Sequence, residues 1–144
     1  MIEQPKPAGT IRAACASHDD TLLDGHFGSC EIFHIYEISA TGWQLAESRM
    51  VAAGEGDSGG EDRIAERVKL ISDCQLLFVI SIGGPAAAKV VRAGVHPVKV
   101  PKVVTLEAQM ASLQQAIADN PPPWLAKIMG LPLRQGRPEW AESP

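Results

Sequence analysis

Cysteine is scarce in this chain of 144 residues, which contains Cys15, Cys30 and Cys74 but no C-x-x-C pair. An odd and widely spaced set of cysteines is not a disulfide framework, and it fits a reducing compartment better than an oxidising one. A structural zinc site normally needs four ligands in paired spacing, and a resident iron–sulfur cluster usually takes four thiolates. We therefore expect neither a closed zinc site nor a permanently housed cluster.

Basic residues and long apolar runs are also few. The chain has 13 Lys and Arg against 17 Asp and Glu, a net charge of −4, whereas a nucleic-acid binder normally shows a basic face. No apolar run is long enough to span a bilayer, and Glu3, Pro5 and Pro7 interrupt the N-terminus before the apolar region of a signal peptide can form. These features predict a cytoplasmic protein that binds neither nucleic acid nor membrane.

What the chain does contain is the apolar periodicity of a mixed α/β domain. Ile11–Ser17 is small and apolar, as in a buried central strand, and Ile32–Ser39 alternates as strands do. With Trp43–Val51, these segments predict an antiparallel meander. Helices and strands then alternate, which predicts a five-stranded mixed sheet with helices on both faces. The later predictions are helices over Glu61–Ser72 and Ala86–Ala93, strands over Leu76–Ile82 and His96–Val100, a long helix capped by Thr105 with the apolar stripe Leu106, Met110, Leu113 and Ile117, and a short helix around Trp124–Met129.

The length of the chain suits one domain whose core needs no covalent staples. Residues 1–9 are predicted to be a linker or lead-in, residues 10–131 a single core domain, and the proline-rich residues 132–144 a loose tail. The acidic, glycine-rich segment 52–60 is predicted to be a mobile loop.

The first candidate site is the stretch Asp24-Gly25-His26-Phe27-Gly28-Ser29-Cys30. His26 and Cys30 are soft ligands four residues apart, and such ligands suit iron–sulfur chemistry and late transition metals. Gly25 and Gly28 allow backbone angles closed to other residues and would let a bulky ligand approach the main chain. This interpretation makes His26 the metal ligand, with Cys30 as a possible second one.

The same stretch has a purely structural interpretation. It is also consistent with a glycine-rich turn in which His26 caps a backbone carbonyl and Cys30 is a small buried hydrophobe. Phe27 would then be an apolar anchor that holds the loop on the sheet. Two ligands do not close a metal site, so the residues alone leave both interpretations open.

The second candidate site is Ser81-Ile82-Gly83-Gly84-Pro85-Ala86. A strand that runs through Gly83 and Gly84 into a helix exposes unpaired N–H groups and the positive end of the helix dipole, which suits anions, and Lys89 would add charge. The spacing of a phosphate loop is absent, and a plain tight turn is the alternative. If the strands of Cys15 and Ile82 are parallel neighbours, both candidate loops lie at the same edge of the sheet.

The other histidines and thiols rank lower. His18 lies on the same edge as His26 and is placed to assist it, whereas His34 is predicted to be a packed or half-exposed strand residue and His96 a turn residue. Cys15 and Cys74 are predicted to be inert core thiols.

Catalysis is not predicted. Asp19, Asp20 and Asp24 form an acidic cluster of a kind that can hold magnesium. However, Ile11–Ser17 and Leu76–Ile82 carry no carboxylate, and no G-x-S-x-G elbow is present.

Three segments together resemble one known family: DGHFGSC, LLFVISIGGPAAAKVVRAGVHPVK and PPPWLAKI. They are similar to the dinitrogenase iron–molybdenum cofactor biosynthesis and carrier proteins, most closely to the core domain of the nitrogenase accessory factor Y group, over about residues 11–131. The resemblance implies a ribonuclease-H-like fold without nuclease activity. It also implies binding of the iron–molybdenum cofactor or an iron–sulfur precursor cluster, with His26 at the position of the family's cofactor-binding histidine. The implied partners are apo-dinitrogenase and cofactor-biosynthesis proteins, and residues 1–9 resemble the junction to a preceding domain.

Three functions are compatible with these features. The leading hypothesis is a carrier or insertion chaperone that holds the cluster through His26 and passes it to apo-dinitrogenase. The alternative is a non-catalytic scaffold that binds apo-dinitrogenase without touching the cluster. A third, an enzyme that handles phosphate or another small anion, depends on Gly83–Ala86 alone.

Overall fold

The computed structural model describes residues 10–51, 60–119 and 121–129. In chain order, the elements are β1 (Ile11–Ser17), β2 (Leu22–Leu23), β3 (Ile32–Ser39), β4 (Gly42–Met50), α1 (Gly60–Ile71), β5 (Leu76–Val79), α2 (Gly84–Arg92), β6 (His96–Lys99), β7 (Val104–Thr105), α3 (Leu106–Asp119) and α4 (Pro123–Met129). Five strands form one sheet in the order β4-β3-β1-β5-β6, and β2 pairs with β7 separately. The predicted five-stranded mixed sheet is confirmed.

Strand β1 is the centre of the sheet, as its small apolar residues predict. It pairs antiparallel with β3, from Ile11 opposite Ile38 to Ser17 opposite Ile32, and parallel with β5. Every residue of β1 except Arg12 is buried. Because β1 and β5 are parallel, their carboxyl ends meet at one edge of the sheet.

Helices cover both faces, and alternate residues of β1 contribute to two separate cores. Ala13 and Cys15 pack in the core beneath α3 and α4, whereas Ala14 and Ala16 pack in the core beneath α1 and α2. The predicted stripe of α3 is confirmed, because its four members are all buried in the first of these cores: Leu106, Met110, Leu113 and Ile117. Thr105 is the N-cap of α3, since its Oγ1 accepts the N–H of Ala108 at 3.0 Å.

Ion pairs fasten the end of α1 to the sheet, at the end of β1 away from its carboxyl edge. Asp73 accepts from Arg12 Nη1 at 2.6 Å and from Arg49 Nη1 and Nη2 at 2.7 and 3.0 Å. These guanidinium groups lower the pKa of Asp73 to about 2. The carboxylate therefore connects β1, β4 and the turn after α1.

Three details differ from the predictions. Strand β5 ends at Val79 rather than Ile82, because the chain bends away at Ile80. His96 is the first residue of β6 rather than a turn residue, and its ring stacks on Trp124 with centroids 4.7 Å apart. The short β2–β7 pair was not predicted, since two residues carry no periodicity.

The predicted lead-in 1–9, loop 52–60 and tail 132–144 lie almost wholly outside the described residues, so the domain boundaries stay predictions. In the part of the chain that the structure describes, no helix is both long and apolar enough to cross a membrane.

Candidate functional site

The two candidate loops are joined by hydrogen bonds at the carboxyl edge of the sheet. The N–H of Phe27 donates to the carbonyl of Ser81 at 2.9 Å, and the N–H of Ile80 donates to the carbonyl of Gly25 at 2.9 Å. These bonds form an isolated parallel bridge between His26 and Ser81. The predicted meeting of the two loops at one edge is confirmed, because β1 and β5 are parallel neighbours.

The side chain of His26 is exposed at this edge. Its Nδ1 lies 2.6 Å from Oγ of Ser81. Its Nε2 has no hydrogen-bond partner among the described residues, so that nitrogen is accessible to a ligand. The ring therefore bonds a hydroxyl rather than a backbone carbonyl, while the carbonyl of His26 itself accepts the N–H groups of Ser29 and Cys30 at 3.1 and 2.9 Å.

Phe27 anchors the loop. Its side chain is fully buried and tilts against Phe33, with ring centroids 5.8 Å apart. It belongs to the core beneath α1 and α2. Because Phe27 points into that core, the preceding imidazole of His26 is held at the surface.

The glycines of the loop have different roles from those expected. A Cβ on Gly25 would lie 2.8 Å from the Ala16 carbonyl carbon and 2.8 Å from Cys30 Cβ, so close packing requires glycine there. A Cβ on Gly28 would meet nothing within 4 Å. Neither glycine uses the wider range of backbone angles that glycine allows, because within the described residues positive φ occurs at Gly94, with φ 90°.

Cys30 faces the interior of the protein. It is fully buried, and its Sγ lies 3.9 Å from the carbonyl oxygen of Phe27. Burial raises the pKa of the Cys30 thiol to about 11. In this conformation the thiol is neutral and turned away from the surface on which His26 lies.

The helix start at the second loop is open. Gly83 is the N-cap of α2 with φ −71° and ψ 158°, and no side chain caps the helix. A Cβ at Gly83 or Gly84 would meet nothing within 4 Å, so the first N–H groups are approachable. Lys89 lies in the last turn of α2, at the opposite end from Gly84, where its charge complements the negative end of the dipole.

The sequence range that carries this geometry matches a known protein family. A family model described as dinitrogenase iron-molybdenum cofactor matches residues 9–116. The chain belongs to this family. The resemblance drawn from the sequence motifs is thereby confirmed, and the matched range contains both candidate loops.

Relatives of this family member cover most of its length. Protein NifY of Azotobacter vinelandii is 49% identical over 121 residues, which are 84% of this chain and 49% of that protein. Protein NifX of Sinorhizobium fredii is 37% identical over 131 residues, or 88% of this chain and 82% of that protein. The chain therefore spans about half of the length of that NifY protein.

A solved structure supports the fold of this family member. The crystal structure of PH0822 superposes with a TM-score of 0.53 over 88% of this chain and 98% of that chain, at 17% identity. At such low identity the similarity shows the fold alone.

Two residues of the site in this family member were missed by sequence reasoning. Arg67 on α1 is buried, and its Nη2 donates to the carbonyl of Cys30 at 2.8 Å, so it supports the loop from below. The sequence did indicate that Arg67 is buried, because it lies on the apolar face of α1, three residues after Ile64 and four before Ile71. Ser81 was named only as part of the second loop, and as the second residue after β5 it lies at the carboxyl edge of the sheet.

The other polar residues near this edge have structural partners. Both ring nitrogens of His34 are engaged, with Ser48 Oγ at 2.8 Å and the Asp19 carbonyl at 2.7 Å. The predicted strand histidine is therefore packed rather than half-exposed. Asp19 Oδ1 accepts the N–H groups of Thr21 and Leu22 at 2.9 Å each, and these bonds lower the pKa of Asp19. Within the described residues, no group of three His, Cys, Asp or Glu side chains is placed to hold a metal ion.

Proposed function

We propose that this protein carries the iron–molybdenum cofactor of dinitrogenase, or an iron–sulfur precursor cluster, and delivers it to apo-dinitrogenase. In this proposal it receives its cargo from cofactor-biosynthesis proteins and catalyses no reaction itself. The cargo is bound through Nε2 of His26. The family description names the cofactor, and the geometry at His26 suggests how a protein of this fold would hold it.

The exposed imidazole of His26 is the observation that carries the proposal. A metal ligand must present an unprotonated nitrogen to the metal, and a partner on the other ring nitrogen usually orients it. His26 has the second feature, because Nδ1 is bonded to Ser81, and its Nε2 has no protein partner among the described residues. The anchor at Phe27 and the two backbone bonds between the loops hold the ring in place.

The surroundings of His26 suit a large anionic guest. The cofactor is anionic through its organic acid, whereas the chain has a net charge of −4, so local hydrogen-bond donors are needed. The open start of α2 at Gly83 and Gly84 provides such donors at the same edge of the sheet. The empty space beside Gly28 leaves room for bulk close to the imidazole.

The remaining candidate residues have supporting roles in this proposal. Gly25, Phe27 and Cys30 shape the loop from inside, since all three are buried. Lys89 adds positive charge to α2 without lying at its N-terminus. A cluster bound mainly by one imidazole is released more easily than one held by four thiolates, which suits a carrier.

We further propose that the fold is of the ribonuclease-H-like class. The order β4-β3-β1-β5-β6, in which β3 runs opposite to the other four strands, supports this description. Strands β1 and β5 carry no carboxylate, which supports the absence of nuclease activity.

The test is anaerobic titration of the isolated cofactor into the wild-type protein and into His26→Ala. We expect His26→Ala to weaken binding at least about tenfold, because a ligand contributes at least as much as its outer-shell partner. His96→Ala is the matched control, since His96 is another exposed histidine but begins β6, at the opposite edge of the sheet, and it should bind like the wild type. Equal affinity of the wild type and His26→Ala would favour the scaffold alternative, which predicts co-purification with apo-dinitrogenase whatever the state of the loop.

A further inference from the structure

Ser81 is held in a fixed place beside the imidazole of His26. Its Oγ lies 2.6 Å from Nδ1 of His26. Among the described residues, Oγ of Ser81 has no other hydrogen-bond partner. The backbone around Ser81 is also fixed, because its carbonyl accepts the N–H of Phe27 and the preceding N–H of Ile80 donates to Gly25. These two main-chain bonds therefore fix the backbone position from which the hydroxyl reaches Nδ1.

This contact has two possible proton arrangements with opposite consequences for binding. A neutral imidazole carries one proton, on either Nδ1 or Nε2. If Nδ1–H donates to Ser81 Oγ, the lone pair of Nε2 faces outward and can bind a metal. If the Ser81 hydroxyl donates to Nδ1 instead, Nε2 carries the proton and cannot be a ligand.

We propose that Ser81 is a positioning residue that accepts a hydrogen bond from Nδ1–H of His26 and thereby keeps Nε2 unprotonated and directed outward. Metal-binding histidines almost always donate their other ring N–H to an oxygen, usually that of a carboxylate, a backbone carbonyl or water, and Ser81 Oγ is the oxygen in that position here. The Ser81 hydroxyl is exposed, so it can then donate its own hydrogen bond to water, and no polar group of this contact is left without a partner. This inference rests on the proposed function, because it assigns Nε2 as the atom that meets the cargo.

The tautomer can be measured without any cargo. Imidazole 15N chemical shifts distinguish Nδ1–H from Nε2–H, and they are recorded at about pH 8.5, well above the ordinary imidazole pKa of about 6.5. We expect His26 of the wild type to be mainly protonated on Nδ1, Ser81→Ala to shift it towards Nε2–H, and Ser81→Thr to restore the wild-type state. His18, which has no such hydroxyl partner among the described residues, is the internal reference and should be the same in all three proteins.

Cargo binding supplies the second readout. Ser81→Ala should weaken binding of the isolated cofactor about 10–100-fold, as loss of an outer-shell partner does, and Ser81→Thr should recover it. The inference is overturned if wild-type His26 is mainly protonated on Nε2, or if Ser81→Ala changes neither tautomer nor affinity. Failure of the proposed function is seen separately, because His26→Ala would then bind normally while the tautomer measurement still gives its own answer.

Discussion

Replacing Gly25 with alanine should destabilise the protein, although the change adds only one methyl group. The new Cβ would lie 2.8 Å from the carbonyl carbon of Ala16, 2.8 Å from Cys30 Cβ and 2.9 Å from Ala16 Cβ. Two of these three atoms are methyl or methylene carbons of buried residues, and the third is backbone of the central strand. None of them can rotate away, so the loop itself must move.

The size of the effect follows from these contacts. Overpacking a close-packed core by a methyl group typically costs about 1–3 kcal/mol. Gly25 also donates its N–H to Ala16 at 3.1 Å and accepts from Ile80 at 2.9 Å, and weakening either bond adds up to about 1 kcal/mol. We expect a loss in the free energy of unfolding of about 2–3 kcal/mol. For a domain of this size, that loss lowers the Tm by about 4–12 °C.

Gly28→Ala is the matched control for Gly25→Ala. It adds the same methyl group three residues away, where nothing lies within 4 Å and φ is not in the left-handed region. Urea unfolding followed by circular dichroism should show Gly28→Ala within about 0.5 kcal/mol of the wild type. A Gly25→Ala variant as stable as the wild type, or a Gly28→Ala variant that loses as much free energy of unfolding as Gly25→Ala, would refute overpacking at Gly25.

Two further predictions concern the ion pairs and the thiols. Asp73→Asn should cost about 1 kcal/mol at pH 7, the scale of half-exposed ion pairs, because it weakens the contacts to Arg12 and Arg49. The folded pKa of Asp73 lies near 2, below its usual 3.8, so the stability gap to the wild type should close between about pH 4 and pH 2. A gap that persists near pH 2 in acid titrations of unfolding would contradict this. At about pH 8, Cys30 should resist iodoacetamide until denaturant is added, since a buried thiol with a pKa of about 11 is almost wholly protonated. Mass spectrometry that shows rapid native labelling would exclude the buried conformation.

The sequence predicted the regular elements well wherever periodicity was long. The run of small apolar residues identified β1 with its observed bounds, and the four-residue stripe identified α3. Strand β5 was predicted too long because Ile80 and Ile82 continue its apolar run. In the structure β5 ends at Val79, and the following residues leave the sheet towards the loop of His26. Apolar composition cannot separate a strand from the bend that follows it.

The candidate site was predicted in part. The motif pointed to His26, and the parallel strands brought the second loop to the same edge. The contact with Ser81 required knowledge of the register between β1 and β5, which no single-sequence pattern provides. Likewise, the direction of the Cys30 side chain depends on the packing of Gly25 against Ala16, a tertiary contact that local spacing does not encode.

The burial of all three thiols has a practical consequence for work in air. Cys15, Cys30 and Cys74 are at most 2% exposed, and oxidation of cysteine follows thiolate character and accessibility. Oxygen therefore has little access to the thiols of the protein, even under conditions that destroy a metal cluster. Under the proposed carrier function, a preparation that loses its metal on aeration should regain its full capacity when fresh cluster is supplied anaerobically, without any thiol reductant.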